Sequence, residues 1–306
     1  MAKRQKTISL QRAYFNEGFN STLQEVLERT FDKLETAKDR IVDIDLISNQ
    51  VFVSLENRTG DGVFLRVFEF EDGATGVINL DTTDTAKAIE EFMHPENKQF
   101  LKDQAVLLIV DNVVLACSVR NKIGTFAANM LRLAQNAQVL SADVRMRIAD
   151  VPDKDVLERV RRTGVKKVHF SVTTFMENLN FASEQKAGSR LMRKIFGSST
   201  TSVSKLRKRA NVVGHMELSR GRFGADEEHI DHWLTDIGVE LIEASAPDSF
   251  RLELEDKSKI SESMMKKTKA VRLTRTANSY SYDNAKRELS NYLKELREEA
   301  LIAAKP

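Results

Sequence analysis

An α+β fold is what three features of this 306-residue sequence predict: antiparallel sheets with flanking helices, two lobes and a long C-terminal amphipathic helix. Short β-prone runs lie close together and are joined by Asn, Asp and Gly, so the strands pair as hairpins. The helical stretches are isolated, and no regular strand-helix-strand alternation is present to build a parallel sheet.

Leu23, Val26, Leu27, Phe31 and Leu34 recur at helical spacing, and Ser21 with Gln24 forms a capping-box pattern, which predicts a helix over 21–37. The runs 41–47, 51–55 and 63–70, separated by Asn49, Asn57, Gly60 and Asp61, predict an antiparallel meander, followed by a helix over 83–93. Runs 104–110 and 113–119 flank Asp111-Asn112, a two-residue hairpin turn because Asx residues tolerate positive φ. A helix over 125–135 and a strand over 139–148 follow, and a break at 150–153 divides the chain into an N-terminal α+β lobe, 1–150, and a basic C-terminal α+β lobe, 151–306.

In the second lobe a helix over 154–163 ends at Gly164, and 165–172 alternates, with Val168, Phe170 and Val172 opposite Lys167, His169 and Ser171. The Ser/Thr-rich stretch 197–202 reads as a linker to a mobile basic arm, and 211–218 as a strand. Ile230, Trp233, Leu234 and Ile237 define a helix that Gly238 is expected to stop, with strands over 239–244 and 250–254 around the turn Ala246-Pro247-Asp248 and another over 271–274. Leu289, Tyr292, Leu293, Leu296 and Ala300 mark the C-terminal helix.

Of the residues, 41 % are apolar and 30 % charged, with four prolines. No run approaches the roughly 18 consecutive apolar residues of a membrane span. Met1-Ala2-Lys3-Arg4-Gln5-Lys6 lacks the apolar stretch of a signal peptide, and the single cysteine, Cys117, excludes a disulfide framework within the chain; both predict a cytoplasmic protein. The net charge of +2 hides an asymmetry: residues 1–150 hold 18 Lys/Arg against 22 Asp/Glu, and residues 151–306 hold 29 against 23. Within 187–222, Arg190, Arg193, Lys194, Lys205, Arg207, Lys208, Arg209, Arg220 and Arg222 face one acid, Glu217, a local surplus of eight. Lys266, Lys267, Lys269, Arg272 and Arg275 form a second group, and Arg120, Lys122, Arg132, Arg145 and Arg147 a third. Charge runs are commonly solvated faces, but clustered cations gain affinity together on closely spaced phosphates by releasing counterions.

Chemistry-bearing patterns are thinner. His229 and His232 beside Asp226, Glu228 and Asp231 have metal-ligand letters without the His-Glu-x-x-His spacing, and the polar edge of a packed helix explains them, so no metal is expected. Pro247-Asp248 with Glu255-Asp256-Lys257 has the letters of a metal-dependent nuclease, but six residues between Asp248 and Glu255 compress the site into one hairpin. Cys117 sits in an apolar strand and reads as core. No Gly-x-Ser-x-Gly, Walker A or Gly-x-Gly-x-x-Gly motif occurs, so no cofactor is expected. Ser219-Arg220-Gly221-Arg222-Phe223-Gly224 combines glycines for close backbone approach, two arginines for phosphate and Phe223 for stacking; a plain turn explains the glycines equally well.

The hairpin 106–119 with its following helix, the strand Lys167-Val168-His169-Phe170-Ser171-Val172, and Leu234-Thr235-Asp236-Ile237-Gly238-Val239-Glu240-Leu241 leading into Phe250-Arg251-Leu252-Glu253-Leu254 resemble the corresponding stretches of the RexA family, DNA-binding components of phage exclusion; KwaB of the Kiwa anti-phage system is similar in architecture. A lysine-rich helix over 260–269 and the C-terminal helix extend the pattern over most of the chain, more clearly after about residue 100. The resemblance implies a cytoplasmic homodimer that binds double-stranded DNA without sequence preference and acts with a membrane-protein partner in superinfection exclusion by abortive infection. The chain departs from the family in its longer Ser/Thr-rich basic segment over 197–209, so contacts are named from local charge alone: Lys205, Arg207, Lys208, Arg209, Arg220 and Arg222, then Lys266, Lys267, Lys269 and Arg272. No catalytic residue is expected. The alternatives are a nuclease using Asp248, Glu255 and Lys257, and a scaffold or toxin-neutralising protein that docks a partner through its C-terminal helix.

Overall fold

The computed structural model describes residues 3–36, 38–43, 49–71, 101–118, 123–171, 215–219, 227–243, 250–276 and 279–302. The fold is α+β, built on two antiparallel sheets. The chain divides into two compact units, one of residues 1–149 with 268–306 and one of residues 150–267. The expected boundary at 150 therefore coincides with a unit edge, but the second unit closes at 267 and not at 306. The reason is a strand pairing: residues 268–274 pair with residues 3–9 at the start of the chain. This correction also redistributes charge. The surplus of six over 151–306 splits into 21 basic against 18 acidic residues before 268 and 8 against 5 after it.

In the first unit, β1 (Lys3–Phe15), β2 (Ile41–Asp43), β3 (Asn49–Thr59), β4 (Gly62–Glu71), β5 (Leu101–Val110), β6 (Val113–Ser118), β12 (Thr268–Thr276) and β13 (Ser279–Tyr280) form one sheet in the order β13-β12-β1-β6-β5-β4-β3-β2; β7 (Met146–Asp150) also pairs with β1. One face packs on α1 (Leu23–Lys33) and α2 (Ile123–Asn136) through Val53, Leu65, Leu107, Ile109, Leu27, Phe31 and Leu133. The opposite face carries Phe52, Phe64, Leu108, Leu115 and Leu273, and α5 (Tyr282–Glu298) packs against β5, β6 and β12 there, with Ala285, Leu289, Tyr292, Leu293 and Leu296 buried. At its centre, over β4, β5 and β6, both sides of this sheet are thus removed from water.

The hairpin of β5 and β6 turns at Asp111-Asn112 with Asp111 at φ 52, as the Asx pair predicts. It also builds the start of α1: Asn112 Oδ1 accepts from Leu23 N at 2.8 Å, and Gln24 N donates to the Asp111 carbonyl. The capping box lies one residue later than Ser21/Gln24, on Thr22 and Glu25, whose side chains each accept from the other's backbone N–H. Gly62 opens β4 at φ +140, and a Cβ there would stand 2.3 Å from the Ile109 carbonyl oxygen, so the β3–β4 turn requires glycine. The strand expected over 139–148 is confined to β7; the chain before it turns back, with Val139 N and Leu140 N donating to the Ala134 carbonyl at the end of α2.

In the second unit a sheet of order β11-β10-β8-β9 is formed by β8 (Val165–Ser171), β9 (His215–Ser219), β10 (Phe250–Leu254) and β11 (Lys259–Ser261). Its Val165, Val168, Leu252 and Leu254 face Val160 of α3 (Lys154–Thr163) and Leu234, Ile237 and Leu241 of α4 (Glu227–Glu243). The strand expected from Val239 is instead the last part of α4. Gly238 does not stop that helix: a Cβ there would meet Val165 Cγ2 at 2.9 Å and Leu252 Cδ1 at 3.3 Å, so it lets helix and sheet approach closely. The lysine-rich helix over 260–269 is also absent. β11, one helical turn at Glu262–Met265 and the start of β12 occupy that stretch. The helix over 83–93, the linker over 197–202 and the turn Ala246-Pro247-Asp248 lie outside the described residues.

Candidate nucleic-acid interface

Lys205, Arg207, Lys208, Arg209, Arg220 and Arg222 lie outside the described residues. β9 ends at Ser219, so Arg220 follows directly from a strand of the second unit's sheet. The alternation of β8 and β10 places Lys167, His169, Arg251 and Glu253 on the face turned away from α4, with Glu217 of β9 beside them. Glu217 joins two of these side chains: Oε1 lies 2.9 Å from Lys167 Nζ and Oε2 lies 3.4 Å from His169 Nδ1. The hydrogen bond with Glu217 raises the Lys167 pKa, and the same contact holds the Glu217 carboxyl below its ordinary value. The one acid inside the basic segment 187–222 is therefore engaged by Lys167 and His169, which lie outside that segment.

The second group of expected contacts does not form one surface. Lys266 pairs with Asp150 at 2.8 Å, and Lys267 N donates to the Val151 carbonyl, both within the second unit. Lys269 and Arg272 belong to the first unit and point to opposite faces of β12. Lys269 lies on the α5 side, 2.5 Å from Glu295 and over the Tyr292 ring at 5.6 Å, whereas Arg272 is exposed beside Gln5. Of these four, Arg272 is the one that is exposed.

Glu255 and Lys257 occupy the turn between β10 and β11, with Lys257 at φ 64, and Asp248 lies outside the described residues. In that turn Asp256 is bound by Ser258 and Arg159, which lowers its pKa, the Ser258 bond being the larger cause. Among the described residues no group of three His, Cys, Asp or Glu side chains is arranged to hold a metal. Cys117 is buried core; burial pushes its thiol up to about 11, and its carbonyl accepts from Tyr280 OH at 2.6 Å. The apolar face of α5 is covered by its own sheet, which removes the surface on which the partner-docking reading stood.

The sequence did not reveal β1. Ile8 and Leu10 carry a short period-two signal, and only the folded strand brings Tyr14 next to Arg147. No protein-family model matches the chain, and no curated protein matches it.

Proposed function

We propose that the chain is a sequence-nonspecific double-stranded DNA-binding protein of anti-phage defence, cytoplasmic, homodimeric and acting with a membrane-protein partner. The observation that carries this reading is the local surplus of eight positive charges over residues 187–222, the stretch that contains β9. Lys205, Arg207, Lys208, Arg209, Arg220 and Arg222 neutralise phosphates and do not read bases. Exposed Arg272 adds to them; Lys266 and Lys269 contribute less, because each already has a carboxylate partner.

The dimer has support in the edge of β12. Asn284 Oδ1 and Ser281 N bond the outward N–H and C=O of Thr274, so by strand alternation Thr268, Ala270 and Arg272 also direct their backbone groups away from β1. Those groups have no partner among the described residues. A second copy pairing antiparallel about Ala270 sets Thr268 opposite Arg272 and keeps like charges apart.

Titration of two unrelated labelled duplexes at low and near-physiological salt, with Mg²⁺ present, tests the function. Both duplexes should bind alike and stay intact, with affinity falling steeply as salt rises. Changing Arg207, Lys208 and Arg209 to Glu should weaken both duplexes equally and flatten the slope of log K against log salt by about 3. Absence of binding at low salt, or cleavage, overturns the reading.

A further inference from the structure

We propose that the first unit carries a second, separate nucleic-acid contact, a Tyr14 platform for an unpaired base flanked by Arg12, Arg145 and Arg147. Strand alternation puts Arg12 and Tyr14 on one face of β1. β7 runs alongside: Asn16 N donates to the Arg145 carbonyl at 3.2 Å, and Arg145 N donates to Asn16 Oδ1 at 3.1 Å. That register brings Arg147 next to Tyr14, with the guanidinium carbon 4.9 Å from the ring centroid. Arg145, two residues earlier and just ahead of β7, shares the face of Arg147, and both Arg145 and Arg12 are exposed.

Tyr14 is 38 % exposed, and no other described aromatic side chain is exposed. Its ring is held on one side by Arg147. On the other side β6 begins at Val113, opposite Arg12, and the Asp111-Asn112 turn precedes it, with Ala13 N donating to the Asn112 carbonyl at 2.7 Å. Half-burial desolvates the Arg147 guanidinium and lowers its pKa, with the Tyr14 contact acting in the opposite direction. The acids nearest in sequence are Glu17, Asp143 and Asp150; Ser141 engages the Asp143 carboxylate and Lys266 that of Asp150. An aromatic ring fixed by an arginine, beside further arginines, offers a stacking surface to a base and charge to the adjoining phosphates. A duplex keeps its base faces inside the stack, so the ligand class is single-stranded nucleic acid.

This inference rests on the nucleic-acid reading above, and its test separates the two. Fluorescence anisotropy is read with labelled oligo(dT) and with a blunt duplex, on the full chain. Tyr14→Ala should weaken oligo(dT) binding about tenfold, as for loss of one stacked base. Tyr14→Phe should retain it, an Arg12→Glu/Arg145→Glu double variant should lose it, and all should leave duplex binding unchanged; thermal melts check folding. The Arg207, Lys208 and Arg209 reversal should have the converse pattern. Oligo(dT) binding that ignores Tyr14→Ala while duplex binding persists overturns this site alone. Wild-type failure to bind either probe overturns the function and the site together.

Discussion

The two sheets differ in how many of their faces are dry. In the first unit, residues 104–110 of β5 and 113–117 of β6 are buried without interruption, because α1 and α2 cover one face and α5 the other. In the second unit, β10 alternates: Phe250, Leu252 and Leu254 are buried, Arg251 is exposed and Glu253 is intermediate. An antiparallel sheet covered on both sides thus shows the continuous apolar run more often associated with parallel strands, and one that the described residues cover on a single side shows period two. The periodicity of a strand reports how many helical layers lie against its sheet.

Consecutive alanine substitutions probe that difference most strongly. Leu107→Ala and Leu108→Ala, neighbours on opposite faces of β5, should each cost about 2–5 kcal/mol in urea unfolding. In the second unit Leu252→Ala should cost a similar amount, whereas its neighbour Arg251→Ala should stay within about 0.5 kcal/mol. Equal costs at Arg251 and Leu252 would break the comparison.

Cys117 sharpens it from the α5 side. Its thiol is raised to about 11 from an ordinary value near 9 because burial opposes the thiolate. The unfolded chain releases this proton from pH 9 upward while the folded chain retains it, so the contribution is complete below pH 9 and is lost as pH climbs towards 11. By pH 11 the difference between the folded and unfolded thiol corresponds to about 2 kcal/mol. A Cys117→Ala variant should therefore lose that much less stability than the parent between pH 8.5 and 11, measured by denaturant titration at each pH.

The smallest expected effect lies at Gly238, where helix propensity and packing oppose each other. Alanine in a helix interior is favoured over glycine by about 1 kcal/mol, but overpacking costs about 1–3 kcal/mol. Val165 is β-branched and fully buried, so it yields little, and a Cβ at 2.9 Å from its Cγ2 should make Gly238→Ala destabilising by about 1 kcal/mol. A stabilised variant would mean that the approach of α4 to its sheet is looser than that of α5 to its own.

Elements governed by local pattern were legible in the chain: the Asp111-Asn112 hairpin, α1, α3, β8 and α5 all occur where spacing places them. β1 escaped because Lys6 and Gln11 interrupt its apolar signal, yet both are buried; Lys6 lies 5.8 Å from the centroid of the Tyr280 ring. Gly238 misled in the other direction, since a glycine required for close approach has the same letter as one required for a helix stop. Of the expected contacts, charge density alone nominated Lys266 and Lys269, and charge density does not encode the carboxylates that fold back on them from Asp150 and Glu295.

By itself the sequence determined the α+β class, the hairpin and helix positions and the burial of Cys117, because each follows from periodicity or turn chemistry within a few residues. Tertiary structure alone decided that residues 268–306 return to the first unit, that Lys269 and Arg272 face opposite ways, and that Tyr14 meets Arg147. Each of these depends on a pairing between segments more than a hundred residues apart or on the parity of a strand, and neither is written in any local stretch of the chain.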